Sequence, residues 1–376
     1  MEQPDEVIKV YESLIVDNYR SFPHFELHGL GRVNLLVGKN NSGKTSLLEA
    51  IQVLATRADL KALWTMSNRR GETFTDDNNR RSEMDISHWF FGSNPHSGSN
   101  YKIVATNGGL TESCEISIVA RQDSVAESLS PPSPPLALDN ASNSTPEELI
   151  DWFFFQLQIL SNGNEPQRFR LTERGGITPR SGIRPPGAEN EPRVVFVPRS
   201  ELGANELVKM IEDISLTDME TLVLKTMQNL DARIERFAAI GGELRPRIMV
   251  RLTGFGKPMP IGILGDGVSR LMTIAVALAK SANGVLLIDE IDTGLHHVAM
   301  DRMWKFVNDS AEMLNVQVFA TTHSRDCFES LAVICQETSE APNRVSIQRI
   351  DRDRDRPVGY SEAEIVAASR RGLEVR

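Results

Sequence analysis

Eight residues limit what this chain can fold into more than any other stretch. They are Gly38, Lys39, Asn40, Asn41, Ser42, Gly43, Lys44 and Thr45, with Ser46 next. They lie between the apolar run RVNLLVG and a segment carrying Leu47, Leu48, Ile51 and Leu54 at helical spacing. Strand, glycine-bounded loop, then helix is the context that G-x-x-x-x-G-K-[ST] requires. Glycines at both ends of the loop let consecutive backbone N–H groups turn into one concavity. The helix beneath adds the partial positive charge of its first turn. Phosphate is the ligand such a cradle takes. Residues 38–46 are therefore the expected nucleotide-binding set. Lys44 brings a point charge to the β- and γ-phosphates, and the Thr45 hydroxyl is set for Mg2+.

The complement of such a loop is expected at the C-terminal end of another buried strand. GVLLIDE delivers Asp289 and Glu290 to that position. Asp289 is expected to hold the magnesium, mostly through water, and Glu290 to polarise the attacking water as general base. A further strand, VQVFATTHS, ends near His323, which is placed to reach the γ-phosphate. Lys44, Glu290 and His323 form the expected catalytic set, and Thr45 and Asp289 the metal set.

Strands alternate with helices in the first sixty and last hundred residues, which predicts an α/β fold with a mainly parallel sheet covered by helices. The N-terminal lobe reads as antiparallel β. VIKVYESLIVDNY is a strand, FPHFELHGLG carries turn signals, and NYKIVAT and ESCEISIVA flank the hairpin-like turn NGGL. A helix is predicted from about Lys44 to Ala58. Four regions follow: 1–120 as the N-terminal half of the nucleotide domain, 121–193 as a loop-rich, partly disordered insertion, 194–245 as a helical insertion, and 246–376 as the C-terminal half. Residues 122–146 are rich in Pro, Ser and Asn and cannot bury a core. The Gly/Pro/Arg-rich stretch 161–193 reads as solvated loop, though its arginines could also touch phosphate. VVFVPRS reads as a strand and 201–240 as largely helical.

Net charge is −10, so the whole-molecule field does not advertise nucleic acid, although a local basic channel remains compatible with it. The three cysteines show no CxxC spacing, which argues against a zinc site or disulfide frame and fits a reducing compartment. The polar N-terminus is wrong for a signal peptide, and no apolar run approaches the roughly 20 residues that span a bilayer. A cytoplasmic protein without membrane contact is expected.

One stretch is left unexplained by a phosphate loop and an acidic pair: ILGDGVSRLM, where a glycine turn opens a helix shortly before GVLLIDE. The order phosphate loop, long insertion, glycine turn, Asp-Glu and His resembles the ABC-type ATPases, in the branch with RecF, SMC and OLD-family proteins. GDGVSRLM opening an apolar helix looks most like the stand-alone ABC-type AAA ATPases of prokaryotic defence operons. The resemblance covers residues 8–60 and 245–335. It aligns Leu264, Gly265, Asp266 and Gly267 with the family's signature motif. That motif acts in trans: two subunits dimerise head to tail, and one subunit's signature helix caps the γ-phosphate on the other's loop. A glycine-opened helix start suits the role, since it presents free N–H donors.

The family's usual signature serine is Gly265 here, with Ser269 the nearest hydroxyl. His296 of TGLHH stands where many members carry Asp. NYRSF is similar to the family's FRSF, which would put Arg20 near the nucleotide; a surface arginine is the other reading. No family glutamine of the Q-loop can be placed, and Gln52 reads as structural. The insertion lacks the heptads of an SMC coiled coil, and too few residues follow TTHS for a Toprim domain. DRDRDR, residues 351–356, reads as a charged turn. The resemblance implies an Mg2+-dependent ATPase that works as a homodimer or higher oligomer. Its ATP is sandwiched between protomers, and a separately encoded nuclease or Toprim-like effector acts under its control in anti-phage defence. The alternative is a RecF-like repair ATPase that binds DNA. A stand-alone nuclease lacks its acidic constellation, and a GTPase lacks an N/TKxD element.

Overall fold

The computed structural model describes residues 10–75, 82–121, 152–178, 193–200, 202–241, 246–337 and 344–371. The Pro/Ser/Asn segment 122–146 and the tail of the Arg-rich stretch lie outside them.

The N-terminal strand β1 (Ser13–Tyr19) pairs antiparallel with β2 (Phe22–His28), from Ser13 opposite His28 to Tyr19 opposite Phe22. FPHFELH is thus a strand and not a turn. The reversal is confined to Arg20 and Ser21, with Arg20 at φ 53°. Pro23 misleads as a turn signal because β2 is an edge strand, where a missing N–H costs no ladder bond. The buried strand β3 (Val33–Val37) follows and feeds the phosphate loop into helix α1 (Lys44–Ala55). Next come α2 (Leu60–Arg70) and a short hairpin, β4 (Thr73–Thr75) with β5 (Ser82–Met84). Strands β6 (Asn100–Asn107) and β7 (Leu110–Ala120) are joined by Gly108 and Gly109, at φ 52° and 83°. Two consecutive positive φ values make the tight hairpin expected at NGGL.

Strands β8 (Phe155–Ser161) and β9 (Gln167–Arg170) then extend the same sheet, whose order is β2-β1-β6-β7-β8-β9. Part of the stretch read as loop-rich insertion therefore completes the N-terminal lobe. The signal was present in FQLQILS, where alternate Leu157 and Ile159 are buried.

A second correction concerns residues 194–240. Strand β10 (Arg193–Val197) belongs to the parallel sheet and pairs with β14 (Gly284–Ile288), Val197 opposite Ile288. Helices α3 (Ala204–Ile214) and α4 (Asp218–Leu230) follow, as the helical reading anticipates. The region then closes on strand β11 (Ile234–Ile240), paired with β12 (Arg247–Leu252), which pairs in turn with β13 (Met259–Pro260). Helix α5 (Asp266–Lys280) leads to β14. It is followed by α6 (His297–Met313), β15 (Gln317–Thr322), α7 (Arg325–Glu337), β16 (Val345–Arg349), β17 (Val358–Tyr360) and α8 (Glu362–Arg370).

The order of the second sheet is β10-β14-β15-β3-β16-β17, parallel throughout except for β17. Its strands are near-continuous apolar runs because both faces are covered. Leu286 and Ile288 face one core with α5 and Trp304, while Val285 and Leu287 face another with Trp89. Helix α1 is packed with that second core and buries nearly every residue, polar Ser46, Glu49 and Gln52 included. The phosphate loop is thereby fixed between two sheets.

Candidate nucleotide site

At the start of α1 the loop geometry follows from its glycines. Gly38 and Gly43 have φ of 148° and 96°, and Asn41 takes 62°. A Cβ on Gly43 would collide with the Phe22 ring, and one on Gly38 with the Ile350 carbonyl. Glycine is required at both for conformation and for space. The Lys44 ammonium donates to the carbonyls of Gly38 at 2.7 Å and Lys39 at 2.8 Å, curling over the loop. Burial lowers its pKa from the ordinary lysine value, while Asp289 and Glu290 pull it back up. The Ser42 hydroxyl is buried without a hydrogen-bond partner inside this cradle. An orphaned donor beside an ammonium and a helix start suits a phosphate oxygen.

Opposite the loop, the C-terminal end of β14 carries the acids. The Thr45 hydroxyl lies 3.1 Å from both carboxylate oxygens of Asp289. A hydroxyl and a carboxylate meeting at the phosphate end are the hard oxygen donors that Mg2+ takes. Glu290 follows with φ 46°, a left-handed conformation that a glutamate adopts only under local constraint. Its N–H donates to the Thr321 hydroxyl at 2.8 Å, and that hydroxyl donates to Asp289 Oδ1 at 2.7 Å. His323 Nδ1 lies 3.7 Å from Glu290 Oε1. Lys44, Thr45, Asp289, Glu290 and His323 thus converge from three chain segments.

The glycine turn is built as a helix start: Gly265, at φ 95°, is the N-cap of α5, and Asp266 sits in its first turn. The turn packs against the loop that follows Asp292, with Gly267 against the Gly294 carbonyl. His296 caps α6 through its backbone, and its ring lies 4.0 Å from that of His297.

Arg20 departs from expectation. Its side chain is neither at the surface nor turned to the phosphate loop; it is 7% exposed and ion-paired with Glu49 at 2.9 Å and Glu72 at 2.5 Å. The positive φ at Arg20 and the tight β1–β2 turn aim the guanidinium beneath α1. Gln52 accepts from Arg69, in keeping with a structural role.

Three contributors were missed in the sequence. Thr321 carries the hydrogen bonds just given. Arg270, buried on α5, donates to the carbonyls of Pro198, Asp289 and Glu290 at 2.9, 2.9 and 3.0 Å. It ties α5 to the ends of β10 and β14. Arg199, just beyond β10, places Nε 2.9 Å from Glu290 Oε2. Only a pairing of β10 with β14 could have signalled the two arginines.

Comparison with known proteins agrees with this geometry. Residues 11–215, more than half of the chain, match the model of the AAA ATPase domain family. Residues 214–326 match a model described as "AAA domain, putative AbiEii toxin, Type IV TA system". The chain belongs to the AAA ATPase domain family. It is similar to an ATP/GTP phosphatase of Helicobacter pylori, 22% identical over 351 residues, 87% of this chain and 88% of that one. Over 44 residues, 12% of each chain, it is 46% identical to the DNA replication and repair protein RecF of Bacillus pumilus. An SMC head solved in complex with the C-winged helix domain of ScpA matches with TM-score 0.50 and 15% identity. That match covers 94% of this chain and 98% of the head, and the likeness is one of fold. Among the described residues, no helix is long and apolar enough to cross a membrane.

Proposed function

We propose that the protein is an Mg2+-dependent ATP switch whose hydrolytic site is completed by a second copy of the chain. The observation that carries this reading is the meeting of Thr45 with both oxygens of Asp289, at the mouth of a cradle holding Lys44 and the unpartnered Ser42 hydroxyl. Residues 38–46 bind the phosphates of ATP, with Lys44 leaving the loop carbonyls for the β/γ oxygens. Thr45 and Asp289 hold Mg2+, which when bound neutralises phosphate charge. Glu290 orients water for attack, and His323 stands by the γ-phosphate. The helix start at Gly265, Asp266 and Gly267 acts on the partner's nucleotide, supported by the family resemblance and by the first-turn N–H groups of Asp266 and Gly267, which lie too early in α5 for an intrahelical partner. Ile263, 66% exposed and just before that turn, would be covered in such a dimer.

Binding closes the assembly and hydrolysis opens it. The resemblance to defence-operon ATPases supports control of a separately encoded nuclease or Toprim-like effector in the cytoplasm. A RecF-like role on DNA is the second reading, favoured by the local identity to RecF. Mass in solution of Glu290→Gln, with and without Mg-ATP, tests the dimer. A larger species is expected with ATP, lost when Ile263→Arg is added. A monomer throughout, while the wild type hydrolyses ATP, would sink the shared site. Steeply salt-dependent, ATP-dependent DNA binding by the isolated protein would favour the RecF-like role.

A further inference from the structure

We propose that Arg199 reads the γ-phosphate. Its guanidinium engages Glu290 until a triphosphate binds, then shifts to the third phosphate and releases the carboxylate to orient water. The proposal rests on the reading of residues 38–46 as a nucleotide cradle.

Arg199 follows β10 at the height where Glu290 follows β14, because Val197 and Ile288 are in register. The backbone beneath it is fixed. Val197 O accepts from Asp289 N at 2.8 Å, and Pro198 O accepts from Arg270 at 2.9 Å. Arg270 also binds the carbonyls of Asp289 and Glu290, so the roots of both side chains are clamped by one buried cation. Above that clamp the Arg199 side chain is 68% exposed and can swing without opening the core. Its Nε faces Glu290 Oε2 at 2.9 Å, while Oε1 faces His323. Both oxygens of the carboxylate therefore face nitrogen groups.

The pair is open to water on its arginine side, where the guanidinium stays hydrated and is readily exchanged. A guanidinium has four further N–H donors beyond Nε, in a fork that fits phosphate oxygens. A terminal phosphate carries more charge than one carboxylate and draws the fork away from Glu290. A diphosphate does not reach as far and leaves the pair intact. Arg199 thus links the presence of the third phosphate to the availability of Glu290.

The test is calorimetric titration with Mg2+ and either ADP or a non-hydrolysable ATP analogue. Arg199→Ala is expected to weaken the ATP analogue about tenfold, with ADP held within about twofold. Arg199→Lys should recover part of the loss. Glu290→Gln frees Arg199 and should tighten the ATP analogue, a gain that disappears in the double variant Arg199→Ala with Glu290→Gln. Equal loss for both nucleotides, or none for the ATP analogue, overturns the assignment to Arg199 alone. Lys44→Ala separates the two readings. If wild type binds neither nucleotide, or Lys44→Ala binds both as wild type does, the cradle reading falls and this proposal with it.

Discussion

Thr321 shows how one hydroxyl sets two acids. It donates to Asp289 Oδ1 and accepts from the N–H of Glu290, and the residue is fully buried. Valine keeps the shape and removes both bonds, leaving the Glu290 N–H unpaired in a strained backbone. Thr321→Val is expected to cost about 1–3 kcal/mol in urea unfolding, and to lower kcat more than it raises KM. An unchanged midpoint and kcat would mean that Asp289 is oriented by Thr45 alone. At this scale the sequence was informative wherever a residue's role is set by its chain neighbours. Lys44 and Thr45 are placed by the loop they end, and Asp289 by the strand it ends. Arg199 and Arg270 act through partners remote in sequence, and no local pattern marks such a contact. Arg20 misled for the same reason, since its carboxylate partners Glu49 and Glu72 lie on other elements.

Among the elements, α1 depends on an ionic cluster beneath it. Glu49, 2% exposed, pairs with Arg20 from the β1–β2 turn and with Arg70 from the last turn of α2. The cluster joins three elements behind the phosphate loop. Removing the shared acid leaves Arg20 with Glu72 alone and takes from Arg70 its carboxylate partner, so the two guanidinium groups repel across the space it filled. Glu49→Ala is therefore expected to lose about 3–5 kcal/mol, measured by denaturant unfolding. Glu49→Gln should lose less, because its amide oxygen still accepts; equal loss would point to packing and not to charge. Helices α1, α5 and the buried strands of the parallel sheet were legible from apolar periodicity. Strands β2 and β9 were not, because edge position permits the proline of one and the arginines of the other. Burial on only one side leaves half of such a pattern to polar residues.

The two cores of the whole molecule share the parallel sheet, with alternate side chains of each strand committed to each. Trp304 lies in one core and Trp89 in the other, both fully buried. Sharing one sheet couples them, so the two should melt together. Fluorescence of Trp89→Phe and of Trp304→Phe, each followed through urea, is expected to give transitions of the same shape. Trp64 and Trp152 pack against the Trp89 core, so a lower midpoint for Trp304→Phe than the one read by far-UV circular dichroism on the same variant would show that the antiparallel lobe unfolds alone.

Strand order carries a further consequence. Strand β3, residues 33–37, lies between β15 and β16, which end at Thr322 and Arg349. On the ribosome, the strand that bears the phosphate loop emerges long before either neighbour and waits until Arg349, the end of β16, has been translated. Its apolar edges stay open meanwhile, a long interval in which a nascent chain relies on chaperones. The same delay means that the phosphate loop gains the support of both sheet neighbours only once β16 has been made.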